Sequence, residues 1–346
     1  MKKLLKHLSP FAPDQSGAVS ALFECGGLIV ICDAGGCTGN ICGFDEPRWF
    51  SQHSAVFSAA LRDMDAILGR DRALVGKIQD AASVLNPAFT ALIGTPVPAV
   101  IGTDYRALSR MVQKATGLPC LAFETTGTAF YDCGVSRAHL ELFRQFALDD
   151  AERQPAAAAL LGATPLDLSC CGNAPVCQSL RNAGFPQCTI CGMGAGLDSF
   201  RHAAAHSINL VAAPAGLAAA QYLQERFGTP YRPFFPESLL PECPPDACRQ
   251  KRALVIHQQF AANALRQRML QDGAAAVDVA SFFQLADEYR QPQDFILQGE
   301  EDFADKVASG GYSLIAGDRA LRHALPDYRG EWLDFPHFAI SGELLA

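Results

Sequence analysis

The chain alternates between short apolar runs and longer segments in which apolar residues recur at helical spacing, with glycine-rich turns between them. The apolar runs predict strands at 26–33, 88–94, 119–124, 166–170, 187–191, 209–213, 253–257, 276–283 and 313–316. The periodic segments predict helices at 54–68, 105–116, 139–148, 178–183, 197–205, 216–227, 260–272 and 300–309. Strands that alternate with helices are typical of parallel sheets built from βα units.

Two segments interrupt this alternation. The alanine-rich segment 151–161 is interpreted as a helix or linker between two units, and the proline-rich segment 237–250 breaks the pattern again. The predicted fold class is therefore α/β, with three Rossmann-like domains that each contain a parallel sheet. These predicted domains span residues 1–155, 156–248 and 249–346. Ligands of such sheets bind beyond the carboxyl ends of the strands, so the turns there hold the candidate residues.

The composition narrows the class of protein. The formal net charge is −8 and no long basic run is present, which argues against a nucleic-acid-binding protein. The apolar part of the N-terminus is too short for a signal peptide, and the apolar stretch at 17–36 contains Glu24 and Asp33, unlike a membrane helix. We therefore expect a soluble, cytoplasmic protein that does not contact a membrane.

Thirteen cysteines stand out in a chain without an export signal, and their odd number argues against a disulfide framework. Cys37 and Cys42 follow a predicted strand and a Gly-Gly turn, where glycine lets the backbone approach a bulky inorganic ligand. Thiolates are the usual ligands of iron–sulfur clusters, and the spacing differs from the CxxC of a zinc ribbon. Metal ligation and structural thiols remain two open interpretations of this pair. Cys25 and Cys32 fit a buried strand better, with a ligand role still open.

Further candidates lie at predicted strand ends in the second and third units. Cys171 and Cys191 are candidates for the lining of a pocket, whereas Cys188 is better explained as a core thiol. His257 ends a strand and His337 lies near the end of the chain, so both are candidates for the same crevice. Each histidine also fits a purely structural role. No residue is assigned a catalytic role.

Four segments, taken in their order along the chain, resemble the nitrogenase component 1 family. They are GAVSALFECGGLIVICDAGGCTGNICGF, TPVPAVIGTDYRAL, LPCLAFETTGTAFYDCG and SINLVAAPAGLAAAQYLQERFGTPYRPFFP. The family includes nitrogenase, dark-operative protochlorophyllide and chlorophyllide reductases, related reductive cyclases and cofactor-assembly scaffolds. The resemblance implies a catalytic component of a two-component reductase. Such a component receives electrons from a separate ATP-dependent iron–sulfur reductase and passes them through an iron–sulfur cluster to a substrate that the sequence does not identify.

The resemblance also suggests which thiols hold the cluster. Cys37 matches the middle cysteine of the family's ligands and Cys42 is an extra thiol nearby, whereas two other family cysteines are missing at residues 9–11 and 95–96. Two thiols from each of two chains would hold one [4Fe–4S] cluster on a two-fold axis. The implied assembly is a homodimer, or a heterodimer with a paralogous component 1 subunit.

The sequence leaves alternatives to the catalytic component of a reductase open. The chain also fits a metallocluster assembly scaffold or carrier without turnover of its own, or a small-molecule-binding protein that has lost the cluster. Asp14, Asp33 and Arg48 are candidates for tuning the cluster or its docking face, although each also fits an ordinary surface or turn position.

Overall fold

The computed structural model describes residues 5–149 and 153–345. The helices are α1 (Asp14–Leu22), α2 (Gly36–Asn40), α3 (Asp63–Leu68), α4 (Asp71–Leu85), α5 (Pro96–Ile101), α6 (Tyr105–Thr116), α7 (Tyr131–Phe146), α8 (Pro165–Leu168), α9 (Ala174–Asn182), α10 (Asp198–Arg201), α11 (Leu217–Phe227), α12 (Pro245–Cys248), α13 (Gln259–Gln271), α14 (Glu300–Gly310) and α15 (Phe338–Ser341). The strands are β1 (Leu28–Ile31), β2 (Ala55–Ser58), β3 (Thr90–Ile93), β4 (Cys120–Phe123), β5 (Ala157–Leu161), β6 (Gln187–Ile190), β7 (Ile208–Val211), β8 (Tyr231–Pro233), β9 (Arg252–Ile256), β10 (Ala276–Ser281), β11 (Phe295–Ile296), β12 (Leu314–Gly317) and β13 (Glu331–Asp334).

The described strands form three sheets, and the paired strands in each of them run parallel. The strand orders are β2-β1-β3-β4, β6-β5-β7-β8 and β11-β10-β9-β12-β13. The predicted α/β class with parallel sheets is therefore confirmed. Each sheet occupies its own stretch of chain, but the domain boundaries proposed from the sequence remain predictions.

The three sheets are wound in the same way. The first strand of each, β1, β5 or β9, lies in the middle, with the second strand on one side and a later strand on the other. The chain therefore leaves the carboxyl ends of two adjacent strands in opposite directions, which creates a switch point where ligands bind in such folds. These switch points lie between β1 and β3, between β5 and β7, and between β9 and β12.

Apolar side chains pack between and behind these sheets. One cluster fills the space between the first and second sheets and includes Ile29 of β1 and Val211 of β7. Another fills the space between the second and third sheets and includes Leu160 of β5 and Val255 of β9. Strands that are buried on both faces in this way are typical of parallel sheets.

Helices α1 and α7 pack unusually closely beside the first sheet. A methyl group on Gly17 would lie 1.9 Å from the Tyr131 carbonyl oxygen, and one on Gly134 would lie 1.8 Å from the Asp14 carbonyl oxygen. Only glycine permits such an approach, because any side chain at these positions would overlap the backbone of the other helix. This contact fixes α1, which leads directly into the strand before the cysteine pair.

Two sequence predictions in the first and second units are wrong. The helix predicted at 54–68 is strand β2 followed by α3; β2 pairs with β1 at the edge of the sheet. The alanine-rich segment predicted as a helix or linker contains β5, the central strand of its sheet, although residues 151 and 152 lie outside the described part. Pairing on both sides overrides the helix propensity of alanine there.

The strand predicted at 166–170 is also wrong. This segment contains the short helix α8, which begins at Pro165. Proline cannot donate a ladder hydrogen bond but is well suited to the first position of a helix. The strand position that this segment was expected to take is occupied by β5. Within the described ranges, no helix is both long and apolar enough to cross a membrane.

Candidate metal centre

The cysteine turn, residues 33–46, leaves β1 at the switch point of the first sheet. It passes through Gly35 with a φ of +116°, a conformation that side chains disfavour, and continues as α2 and a π-helix at Ile41–Asp45. β3 is followed by Thr95, whose hydroxyl donates to the Cys32 carbonyl oxygen at 2.7 Å. The two turns at the switch point are therefore tied together. π-Helices are rare and are frequently found at functional sites.

Cys37 and Cys42 are both half-buried on this turn and pack against the apolar cluster between the first two sheets. Burial raises the pKa of both thiols. The Asp33 carboxylate raises that of Cys37 further, and Glu46 and, to a smaller extent, Asp33 raise that of Cys42. The two side chains therefore lie near the same carboxylate. A bound cation opposes both effects, since a coordinating thiol is deprotonated by the metal.

The outer face of the cysteine turn is open. A methyl group built on Gly36, Gly39 or Gly43 would meet no other atom within 4 Å. Among residues 5–149 and 153–345, no group of three or more His, Cys, Asp or Glu side chains is arranged to hold a metal ion. The turn therefore carries two half-buried thiols and has open space beside its glycines.

The arm of the turn that carries Cys37 is held from below by Asp33. This carboxylate accepts hydrogen bonds from the Thr38 backbone at 2.8 Å, the Thr38 hydroxyl at 3.0 Å and the Ser58 hydroxyl at 2.6 Å. Asp33 is only 1% exposed and lies in the turn after β1, so of the two ordinary positions considered for it the structure shows the turn. Its role in the structure is to fix the first turn of α2 against β2.

The arm that carries Cys42 is held at its end by two carboxylates. Asp45 accepts hydrogen bonds from the Ser16 hydroxyl at 2.6 Å and the Asn40 amide at 2.8 Å. Glu46 accepts a hydrogen bond at 2.7 Å from Nε of Arg48. The π-helix is thereby attached to α1 and to the segment that follows it.

Arg48 and Asp14 are also buried, contrary to the surface positions considered for them. The Arg48 side chain is fully enclosed. Asp14 accepts hydrogen bonds from the backbone N–H groups of Thr126 and Gly127 at 3.1 and 2.7 Å. Both residues organise the scaffold around the turn, and neither lies on an outer docking face.

Cys25 and Cys32 lie beneath the turn. Each is 2% exposed, and burial raises the pKa of each thiol to about 12. The Cys25 thiol donates to the Ala21 carbonyl oxygen. Cys32 lines a cavity of about 310 Å³ between α3, α4 and α5. The structure therefore places these two thiols in the interior, whereas Cys37 and Cys42 are only half-buried.

Exposed apolar side chains flank the cysteine turn. Phe44, two residues after Cys42, is 74% exposed. On α5, across the switch point, Val97 is 42% exposed, Val100 86% and Ile101 45%. Exposed apolar side chains therefore lie on both sides of this switch point.

The switch points of the second and third sheets contain a different set of side chains. His257 follows β9 and stacks on His337, with ring centroids 4.1 Å apart and an interplanar angle of 10°. The Tyr131 hydroxyl lies 2.9 Å from Nε2 of His337 and donates to Asp167 at 2.9 Å. All four side chains are buried. We call this group the histidine junction.

The histidine junction is neutral at its imidazoles. The Gln258 N–H donates to Nδ1 of His257, which leaves Nε2–H to donate to the Pro336 carbonyl oxygen at 3.1 Å. Burial lowers the pKa of His257 to about 4, and burial together with His257 lowers that of His337. Burial raises the pKa of Asp167 to about 7. The structure thus brings the two predicted histidines together as packed rings within the protein.

The remaining predicted pocket residues are separated. Cys191 is fully buried in the cluster between the first two sheets, and burial raises its pKa to about 12. Cys171 is half-buried; burial raises the pKa of its thiol, and the Glu46 carboxylate raises it further. Tyr131 and Asp167 were missed by the sequence reasoning. The strand wrongly predicted over 166–170 hid the position of Asp167 in the short helix α8.

The comparisons with known proteins identify the family of the chain. The model of the nitrogenase component 1 type oxidoreductase family matches residues 15–236, which is well over half of the chain and includes the cysteine turn. The chain belongs to this family. The resemblance seen in the sequence is therefore confirmed.

Two solved structures show the same fold. The structures of nitrogenase Cp1 at pH 6.5 and at pH 5 superpose with TM-scores of 0.72 and 0.73 and are 11% and 12% identical in sequence. The alignments cover 97% and 99% of this chain and 87% and 86% of those chains. At such low identity the likeness shows the nitrogenase component 1 fold alone.

A shorter match links the chain to a cofactor biosynthesis protein. It is 33% identical over 72 residues to the nitrogenase iron-molybdenum cofactor biosynthesis protein NifE of Klebsiella pneumoniae. The match covers 20% of this chain and 16% of the length of that relative.

The residues present fit an iron–sulfur cluster as a partial ligand set. Thiolates are the protein ligands of such clusters, and the half-buried thiols of Cys37 and Cys42 lie on one short turn that also carries glycines with open space beside them. A [4Fe–4S] cluster takes four thiolates, so a second set of ligands is needed to close the site.

Proposed function

We propose that this chain is the catalytic component of a nitrogenase-like two-component reductase and holds an iron–sulfur cluster at the cysteine turn. The observation that carries the proposal is the pair of half-buried thiols at the open switch point of the first sheet. Membership of the nitrogenase component 1 family supports it. Cys37 and Cys42 are the proposed ligands.

The proposed cluster is a [4Fe–4S] cluster shared between two chains. Two thiolates from each chain satisfy the four positions, and a two-fold axis through the cluster makes the two contributions equivalent. The exposed apolar side chains of Phe44 and α5 flank the thiols and are suited to burial against the second chain. That chain is a second copy or a paralogous component 1 subunit.

The electrons are proposed to come from a separate ATP-dependent iron–sulfur reductase. The sequence contains no P-loop, so ATP hydrolysis is assigned to that partner. A bound cluster supplies one-electron transfer between the partner and the substrate. The residues of this chain hold the thiols, exclude water beneath them and set the charge around them, with Asp33, Asp45 and Glu46 adding negative charge.

Anaerobic purification of the Cys37→Ala/Cys42→Ala variant tests the proposal. Iron, sulfide and the visible absorption of the cluster are expected to disappear, because both ligands from each chain are lost. A Cys120→Ala/Cys177→Ala variant removes two other half-buried thiols and is expected to keep its iron. The proposal is wrong if the first variant retains iron and sulfide at the wild-type level.

A second candidate function is a metallocluster assembly scaffold or carrier without turnover. The 72-residue match to NifE, a cofactor biosynthesis protein by its name, favours this alternative. The same thiols would then hold a cluster that is handed to another protein.

Turnover separates the two functions. The reductase function predicts substrate reduction that requires the ATP-dependent partner and stops in the cysteine double variant. The scaffold function predicts transfer of iron and sulfide to an apo-acceptor in the absence of any substrate. Transfer without reduction under matched conditions would reject the reductase function in favour of the scaffold.

A further inference from the structure

Arg48 is fully enclosed, and each N–H of its guanidinium has an acceptor. Nε and Nη2 donate to the two oxygens of Glu46, both at 2.7 Å. Nη1 donates to Glu24 at 2.8 Å and to the Gly192 carbonyl oxygen at 2.9 Å, and Nη2 also donates to the Ser20 carbonyl oxygen at 2.6 Å. A guanidinium has five such donors in a fixed fork, so this site is complementary to arginine.

These bonds join three separate parts of the chain. Glu46 directly follows the π-helix that carries Cys42, whereas Ser20 and Glu24 belong to the end of α1 and the segment after it. Gly192 lies in the turn after β6 of the second sheet. Glu24 strengthens the same link, because its other oxygen accepts a hydrogen bond from the Gly194 backbone.

Arg48 and its two acidic partners do not balance in charge. One guanidinium lies between two carboxylates, Glu24 and Glu46, and both ion pairs are shielded from solvent, with side-chain exposures of 14% and 1% for the acids. Buried charge-assisted bonds of this kind are strong and sensitive to geometry. Replacing the fork with an ammonium therefore alters several bonds at once.

We propose that Arg48 is a positioning residue for the Cys42 arm of the metal centre and ties that arm to the second sheet. This inference rests on the proposed function, in which Cys42 is a cluster ligand. The Cys37 arm has its own anchor, because Asp33 binds Thr38 and Ser58 and shares no hydrogen bond with Arg48. Loss of Arg48 should therefore loosen one thiol and leave the other in place.

The first test measures the alkylation of each thiol in the cluster-free chain. In Arg48→Lys, Cys42 is expected to react about tenfold faster than in the wild type, because the end of the π-helix opens locally. Cys37 is expected to keep its rate within about twofold, since its anchor is intact. Peptide mapping by mass spectrometry reads the two sites separately.

Arg266→Lys is the matched control. Arg266 is also a buried arginine, paired with Asp294 at 2.6 Å within the third sheet's domain. It is expected to leave the alkylation of both cysteines unchanged. Equal acceleration of Cys37 and Cys42 in Arg48→Lys, or no acceleration of either, would overturn the proposal.

Glu24→Gln keeps the test decisive if Arg48→Lys does not fold. The amide preserves the shape of Glu24 while weakening its bonds to Arg48 and Gly194. In this variant too, the alkylation rate of Cys42 is expected to rise and that of Cys37 to stay unchanged. A folded Glu24→Gln chain with unchanged Cys42 reactivity would contradict the proposal.

A second readout uses the cluster-loaded dimer. With iron content unchanged, Arg48→Lys is expected to shift the reduction potential and the electron paramagnetic resonance signal of the cluster, whereas Arg266→Lys should move neither. If Arg48→Lys left the reduction potential and the signal unchanged, the proposal that Arg48 positions Cys42 for the cluster would be rejected. Failure of the proposed function looks different: the wild-type chain would carry no cluster, while the alkylation asymmetry would still be measurable.

Discussion

The first and third sheets are wound in the same way, yet their switch points have opposite characters. Beyond β1 the chain presents glycines and the half-buried thiols of Cys37 and Cys42 to an open face. Beyond β9 it presents His257, which stacks between Phe335 and His337 in the protein interior. Topology therefore marks where a ligand site is available, and the side chains after each strand decide whether that site stays open.

The difference follows from the residue types. Small residues after β1 leave space that no local side chain fills, and the anchors Asp33 and Arg48 lie below the turn. The histidine junction instead fills its space with stacked rings; the Tyr131 hydroxyl bonds to His337 and Asp167, and His257 bonds to the Pro336 carbonyl oxygen. Only the first arrangement offers ligand atoms to something outside the chain.

The largest expected loss of stability comes from creating a cavity at the closed switch point of the third sheet. Phe335→Ala removes a ring that is 1% exposed and should lower the free energy of unfolding by about 3–5 kcal/mol. Phe44→Ala, at a ring that is 74% exposed, should change it by less than about 0.5 kcal/mol in the cluster-free chain. Urea unfolding of both variants measures the contrast. Equal losses would remove the distinction between a closed and an open site.

Acid should destabilise the closed site through His257. The pKa of His257 is about 4 in the folded chain and 6.5 ordinarily. Between these two pH values the imidazole is therefore protonated in the unfolded chain and neutral in the folded chain. Stability from this group is present above pH 6.5 and falls as the pH drops toward 4, by about 3 kcal/mol. Asp167, whose folded pKa is raised to about 7, acts in the opposite sense.

The His257→Gln variant isolates this effect, because glutamine does not titrate and Asp167 is common to both proteins. The difference in unfolding free energy between wild type and variant should narrow as the pH falls from 6.5 to 4. A difference that stays constant over this range would show that His257 is not held neutral by burial.

Thiol reactivity sharpens the comparison within the first sheet. In the cluster-free chain, Cys37 and Cys42 should be alkylated at least about a hundredfold faster than Cys25 and Cys32, which are buried and have pKa values of about 12. Mass spectrometry after timed alkylation gives the four rates. In denaturant the four thiols should react alike, and a native-state rate order that placed Cys25 or Cys32 first would contradict the assignment of the open face.

The smallest effect is expected from one hydroxyl. Tyr131→Phe removes the hydroxyl that bonds to both His337 and Asp167 and should cost about 1–3 kcal/mol of unfolding free energy. The control Tyr328→Phe loses only a 3.3 Å bond to a backbone carbonyl at the surface and should cost less than about 0.5 kcal/mol. Thermal and urea unfolding compare the two, and indistinguishable losses would argue against a bonded junction.

Much of the fold could be predicted from periodicity. The helix predicted at 105–116 corresponds to α6, and the apolar run before the cysteine pair contains β1, because both patterns are long or strongly apolar. The errors lie where pairing decides the structure. β5 is built from an alanine-rich run, and the short edge strands β2, β11 and β13 carry too few residues for a clear period.

The site was less predictable than the fold. The Gly-Gly turn and the thiols after β1 are visible in the sequence, because glycine and cysteine types carry their own chemical meaning. The burial of Arg48 was not visible. Its acceptors at Ser20, Glu24 and Gly192 come from distant positions, and a charged segment after a turn ordinarily indicates a surface.

Native mass spectrometry with an iron count on anaerobically purified protein tests the central claim most directly. The account predicts a species of two chains that carries one [4Fe–4S] cluster, about two iron atoms per chain. Cys37→Ala/Cys42→Ala should remove the cluster. A complete cluster on a single chain, or an iron-free wild-type protein, would contradict the assignment of the open switch point as a shared metal centre.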